Sequence, residues 1–148
     1  MSGLFITKEL REARDNIERT DEELINVSNQ LYHILEDNLL KAQQTKGNDY
    51  ITYIADRKIG KTYNLIRLAL EYGYPLIVHN AQYARYLESL VKEKFGNSIT
   101  ILSYSTVGRN LDGVPCYVIL KDEMVPTYEL RKILNESRKG YINIVGIN

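Results

Sequence analysis

The apolar positions of the chain follow two different periods. From Leu24, apolar residues recur at Val27, Leu31, Ile34, Leu35 and Leu39, the three-and-four spacing of one helix face. Thr20, followed by Asp21, Glu22 and Glu23, has the form of a capping box, with Thr20 as N-cap and Glu23 at N3. Gly47 and Asn48 supply the stop signal. Upstream, Thr7 would cap a shorter helix with Leu10, Ala13 and Ile17 on one side. Beyond residue 47 the pattern changes to short apolar runs alternating with amphipathic stretches. Runs at 50–55, 75–79, 98–103, 116–120 and 141–147 predict strands, and stretches at 62–72, 81–95 and 128–138 predict helices. The strands are apolar throughout, which suits a parallel sheet covered on both faces. The order β-α-β-α-β-β-α-β predicts a doubly wound α/β sheet of about five strands, preceded by a helical segment.

Composition sharpens this division. The 148 residues balance 19 basic against 19 acidic side chains. The neutrality hides an asymmetry: residues 1–49 carry 6 − 10 = −4, and residues 50–148 carry 13 − 9 = +4. We therefore divide the chain into an N-terminal helical segment, 1–47, and an α/β domain, 48–148. The acidic segment is expected to pack on the basic domain rather than bind nucleic acid itself. No apolar run approaches the ~20 residues of a membrane span, and the first residues do not form a signal peptide, so a cytoplasmic protein is expected. With one cysteine, Cys116, and two distant histidines, a disulfide or zinc site is not expected. Cys116 is expected to be a buried small hydrophobe, and Tyr53 and Tyr117 to pack in the core.

The strongest chemical signal is Ala55-Asp56-Arg57-Lys58-Ile59-Gly60-Lys61-Thr62. It fits a phosphate-binding loop relaxed to alanine at the first position, [AG]-x-x-x-x-G-K-[ST], and lies between a predicted strand and a predicted helix. Backbone N–H groups from Ala55 to Tyr63 would surround phosphate at the helix N-terminus. Gly60 permits close backbone approach, Lys61 would reach the β- and γ-phosphates, and the Thr62 hydroxyl would bind Mg²⁺. Some sixty residues later, Tyr117-Val118-Ile119-Leu120-Lys121-Asp122-Glu123 is an apolar strand ending in acids, interrupted by Lys121. Asp122 would hold the metal at the carboxyl end of its strand, and Glu123 would polarise an attacking water.

On these two motifs the region 50–148 resembles the P-loop NTPase superfamily, in its branch with a catalytic glutamate beside the metal-binding aspartate. The order of elements looks like the first motor domain of helicases and phage terminases. It is also similar to small single-domain P-loop proteins encoded by phages of low-GC bacteria, which would place it in a host cytoplasm. The resemblance implies ATP and Mg²⁺ as cofactors and hydrolysis of ATP, with Lys61 and Glu123 as catalytic residues. It also implies a polar γ-phosphate sensor on the last strand, Asn143 or Asn148. An arginine finger would come from a partner or another copy of the chain, with Arg85, Arg109, Arg131 and Arg138 as candidates.

Three readings stay open: an ATPase acting on or with nucleic acid, a nucleotide-binding interaction module with weak or lost hydrolysis, and a small nucleoside or nucleotide kinase. The tyrosines around 72–86, with Arg67, Arg85, Lys92 and Lys94, are candidate stacking partners for single-stranded nucleic acid. His79 and Asn80 are expected to be strand-end polar residues, and residues 104–114 a polar, mobile loop.

Overall fold

The computed structural model describes residues 21–54, 59–111 and 116–148. The expected helix at 7–17, the Thr20 cap and most of the phosphate loop (Ala55, Asp56, Arg57 and Lys58) lie outside the described residues. The rest is an α/β fold with five helices and one five-stranded sheet, all strands parallel. In chain order the elements are α1 (Asp21–Ala42), β1 (Asp49–Thr52), α2 (Lys61–Tyr72), β2 (Leu76–Val78), α3 (Ala81–Phe95), β3 (Ile101–Ser103), α4 (Val107–Asn110), β4 (Val118–Lys121), α5 (Thr127–Glu136) and β5 (Asn143–Ile147). The strand order is β1-β5-β4-β2-β3. Thr52 pairs with Ile147, and Lys121 with Gly146, so the carboxyl ends of β1, β5 and β4 line up.

Side-chain alternation divides the core between two faces. Leu76, Val78, Val118, Leu120, Val145 and Ile147 point to the face covered by α1, α2 and α3. Ile77, Ile119 and Ile144 point to the other, covered by α4 and α5 through Val107, Leu130 and Leu134. Both faces are covered, which suits strands that are mostly apolar on both sides; Lys121 at the end of β4 and Asn143 at the start of β5 are buried polar exceptions.

Helix α1 shares the first of these cores. Leu24, Leu31, Leu35, Leu39 and Ala42 are buried in the same cluster as Leu65 and Leu68 of α2. Ser28 and Tyr32 are buried on this stripe, whereas Ile34 is about half exposed. The polar ties between α1 and α2 include two tyrosine–carboxylate hydrogen bonds. Tyr32 donates to Glu71 and Tyr72 donates to Glu36, while the Arg67 guanidinium lies 3.8 Å over the Tyr32 ring. Both tyrosine pKa values are raised, that of Tyr72 to about 12, chiefly by its bond to Glu36. The acidic helix thus packs on the basic domain through apolar contact, hydrogen bonds from neutral donors and the Arg67 guanidinium.

Several expectations change. Tyr53 lies beyond the end of β1 and is 75% exposed, and Tyr117 precedes β4 and is 60% exposed. Tyr117 packs edge-on against Tyr141, with centroids 5.8 Å apart, at the amino edge of the sheet. Cys116 is buried as expected. Residues 104–110 form a 3₁₀ turn followed by α4. Val107 and Leu111, four apart, turn inward together, and the Asn110 amide donates to the Thr106 hydroxyl at 2.9 Å.

Candidate functional site

The site is assembled at the carboxyl edge of the sheet, where β1 leads towards α2 and β4 turns into α5. Gly60 is the N-cap of α2, with φ of +84°. Only glycine adopts that region without strain. A Cβ there would also stand 2.7 Å from the Ser28 hydroxyl of α1. Among the described residues no side chain caps α2, and its first turn holds no acid to compensate the positive end of the helix dipole. Lys61, the first residue of the helix, is 7% exposed. Its ammonium donates to the carbonyl of Ile54, at 3.1 Å, and to Glu123 Oε2, also at 3.1 Å.

The facing acids come from the turn after β4. The Asp122 N–H donates to the Ile77 carbonyl, carrying the β4–β2 ladder one residue past the strand. The Asp122 side chain is almost fully buried and its Oδ1 accepts from the Thr62 hydroxyl at 3.2 Å. Burial pushes this carboxyl above the usual range. Hydrogen bonds from the Thr62 hydroxyl and the Glu123 N–H pull it part of the way back. Glu123 is more open than its partner Lys61, with 38% of its side chain exposed.

The raised Asp122 pKa has a consequence for stability. A carboxyl with a folded pKa above its unfolded value binds more protons folded than unfolded. Its contribution to stability is therefore largest at acid pH and falls as pH rises through that range. Asp122→Asn, which removes the buried charge, is expected to raise the melting temperature by a few degrees at neutral pH. The difference should vanish below the ordinary carboxylate range, about pH 4. Thermal melts of both proteins across that range check the sign.

Lys61, Thr62, Asp122 and Glu123, taken from two motifs sixty residues apart in sequence, are thus in direct contact. Ile59 and Gly60 are buried beside them, and Tyr63 is buried one residue into α2. Other candidates are not brought here. Asn143 begins β5, at the opposite edge of the sheet. Its amide donates to the Ala42 and Thr45 carbonyls, and its Oδ1 accepts from the Asn48 N–H, so it closes the α1–β1 connection and cannot sense a ligand at the carboxyl edge. Asn148 follows β5 at the site's own edge, where its N–H donates to Thr52 and its carbonyl accepts from Ile54. Arg131 is tied to Asp49 and to the carbonyls of Gly140 and Asn48, again at the amino edge. The Asn80 side chain caps α3 by accepting from the Tyr83 N–H. Next to it the His79, Tyr83 and Tyr86 rings form a ladder with centroid spacings of 5.0 and 6.2 Å.

The roles of three polar residues escaped the sequence reading. Ser28 sits under Gly60, Asn64 donates to the Ser28 carbonyl and hydroxyl, and Lys121 is fully buried beneath the acidic turn. Ser28 had a signal, since it occupies the apolar stripe between Leu24 and Leu31 at helical spacing.

Comparison with protein-family models, curated proteins and solved structures returned no match. Among the described residues, no helix is long and apolar enough to cross a membrane, and no cluster of three or more His, Cys, Asp or Glu is placed to hold a metal. A metal at this site would therefore depend on a mixed set of oxygens, with a hydroxyl and a single buried carboxylate from the protein.

Proposed function

We propose that the chain is a P-loop NTPase that binds ATP with Mg²⁺ and hydrolyses it. The observation that supports this best is the double contact of Lys61 with Glu123 and Thr62 with Asp122, at the carboxyl edge of a parallel sheet. Open α/β sheets bind ligands at that edge. The groups in contact are of kinds that recur in phosphoryl transfer to water: a cation for phosphate, a hydroxyl and a carboxylate for the metal, and a second carboxylate for water.

The oxygens of Thr62 and Asp122 are hard donors and fit Mg²⁺, which keeps several waters and takes one or two carboxylates from a protein. These two residues would hold the ion, which when bound neutralises charge on the phosphate oxygens. Lys61 binds phosphate oxygens as a point charge, and the α2 N-terminus adds its dipole. Glu123, the more open acid, orients a water and accepts its proton. Glu123 neutralises Lys61 through their 3.1 Å contact, and nucleotide must displace this contact before either residue can act.

That same ion pair is the observation favouring a nucleotide-binding module with lost hydrolysis, because it occupies the base. Phosphate release from Mg-ATP decides between them. The ATPase reading expects release that excess EDTA abolishes. Nucleotide binding without release would favour the module, and the absence of both would reject the site.

A further inference from the structure

We propose that Lys121 is a positioning residue for the acidic turn, holding Asp122 and Glu123 at the carboxyl edge of the sheet and tying them to the end of β5. This rests on the reading of the site given above. The Lys121 side chain is 0% exposed, among the largest fully buried side chains of the protein. Its ammonium donates to three carbonyls: Asp122 at 3.0 Å, Val125 at 2.6 Å and Ile147 at 2.7 Å. An ammonium has three N–H donors, and each has an acceptor here.

The acceptors belong to two segments. Asp122 and Val125 bracket the turn that carries Glu123, which is also closed by the Val125 N–H donating to the Asp122 carbonyl at 3.2 Å. Ile147 is the last residue of β5. The next residue, Asn148, donates to Thr52 and accepts from Ile54, whose own carbonyl receives the Lys61 ammonium. Hydrogen bonds linked by short stretches of backbone at residues 147–148 and 54 therefore connect Lys121 to Lys61. Gly146 leaves room for it: a Cβ there would stand 2.6 Å from the Lys121 Cβ and 2.3 Å from its carbonyl oxygen.

A purely space-filling role would be met better by an apolar side chain. Burying an ammonium is unfavourable unless its donors are met. The lysine is instead placed where its three bonds fix one turn, the turn bearing both acids. Lys121→Met keeps the length and removes the donors. Its proper control is a core variant of matched melting temperature on the α5 face, such as Leu130→Ala or Leu134→Ala. Amide hydrogen exchange and Mg-ATP turnover are then measured on all three.

Lys121→Met is expected to speed exchange at Asp122, Val125 and Asn148 beyond the control. Turnover at saturating Mg-ATP should fall at least tenfold, with ATP affinity changed less than about threefold. Exchange and turnover equal to the matched control would overturn the proposal. Should the methionine variant not fold, Lys121→Gln retains part of the donor set and must show the same pattern in weaker form. If the wild type binds but does not hydrolyse ATP, the hydrolytic reading fails separately, and exchange alone decides the positioning role.

Discussion

Glu123→Gln is expected to slow turnover by about 10²–10⁴-fold and to tighten nucleotide binding at the same time. The amide keeps the size of the side chain but cannot take a proton from water, and loss of a general base costs about 10²–10⁴-fold in rate. The effect on affinity follows from the contact with Lys61, at 3.1 Å, which nucleotide must displace. Because the glutamate is partly exposed, the pair contributes about 0–1 kcal/mol, and its removal should strengthen Mg-ATP binding by no more than about fivefold. Single-turnover phosphate release and equilibrium titration separate the two effects. Release at the wild-type rate would remove Glu123 from the chemistry. Weaker binding would mean that the Lys61–Glu123 contact helps to form the phosphate site.

The second large effect is expected at Gly60. Two independent costs meet there. A left-handed backbone is unfavourable by roughly 1–2 kcal/mol for a residue with a Cβ. The new methyl would also collide with the Ser28 hydroxyl, 2.7 Å away, and overpacking of this kind costs about 1–3 kcal/mol. Gly60→Ala should therefore destabilise the protein by about 2–5 kcal/mol, or on the order of 5–15 °C in melting temperature. It should also weaken nucleotide binding, since Lys61 is the next residue. The collision can be removed without touching the backbone. Ser28→Ala deletes the hydroxyl and leaves its Cβ at an ordinary 3.6 Å. In the double variant the steric part should be recovered and the backbone part retained, a non-additive result that a thermodynamic cycle measures directly. Strict additivity would show that α1 does not bear on Gly60.

These variants also show what the residue order makes visible. Helices α2 and α3 follow from their three-and-four spacing and from Gly73 and Gly96 at their ends, both in the left-handed conformation. The four site residues were legible because each belongs to a local pattern with a chemical reason, a glycine-lysine-threonine at a helix start and an acid pair at a strand end. What depends on distant neighbours was not legible. Lys121 looks polar at a strand end, and its burial is set by carbonyls of the following turn and of β5, a strand about 25 residues on. Asn143 looks like a polar residue on a final strand, but the register places it at the amino edge, where it binds the residues after α1. Tyr53 and Tyr117 flank apolar runs and so resemble core, yet each falls just outside its strand, where the covering helices no longer reach. The interposition of β5 between β1 and β4 decides which strand ends are neighbours, and no local pattern encodes it.

The most direct test of the central claim is a calorimetric titration of the full chain with Mg-ATP, run beside Lys61→Ala. Charge-assisted hydrogen bonds of the kind Lys61 would make to phosphate are worth about 1.5–3 kcal/mol. The wild type should bind saturably at one site, and Lys61→Ala should bind at least about tenfold more weakly. No binding by the wild type, or equal affinity in the two proteins, would contradict the assignment of this edge of the sheet as a nucleotide site.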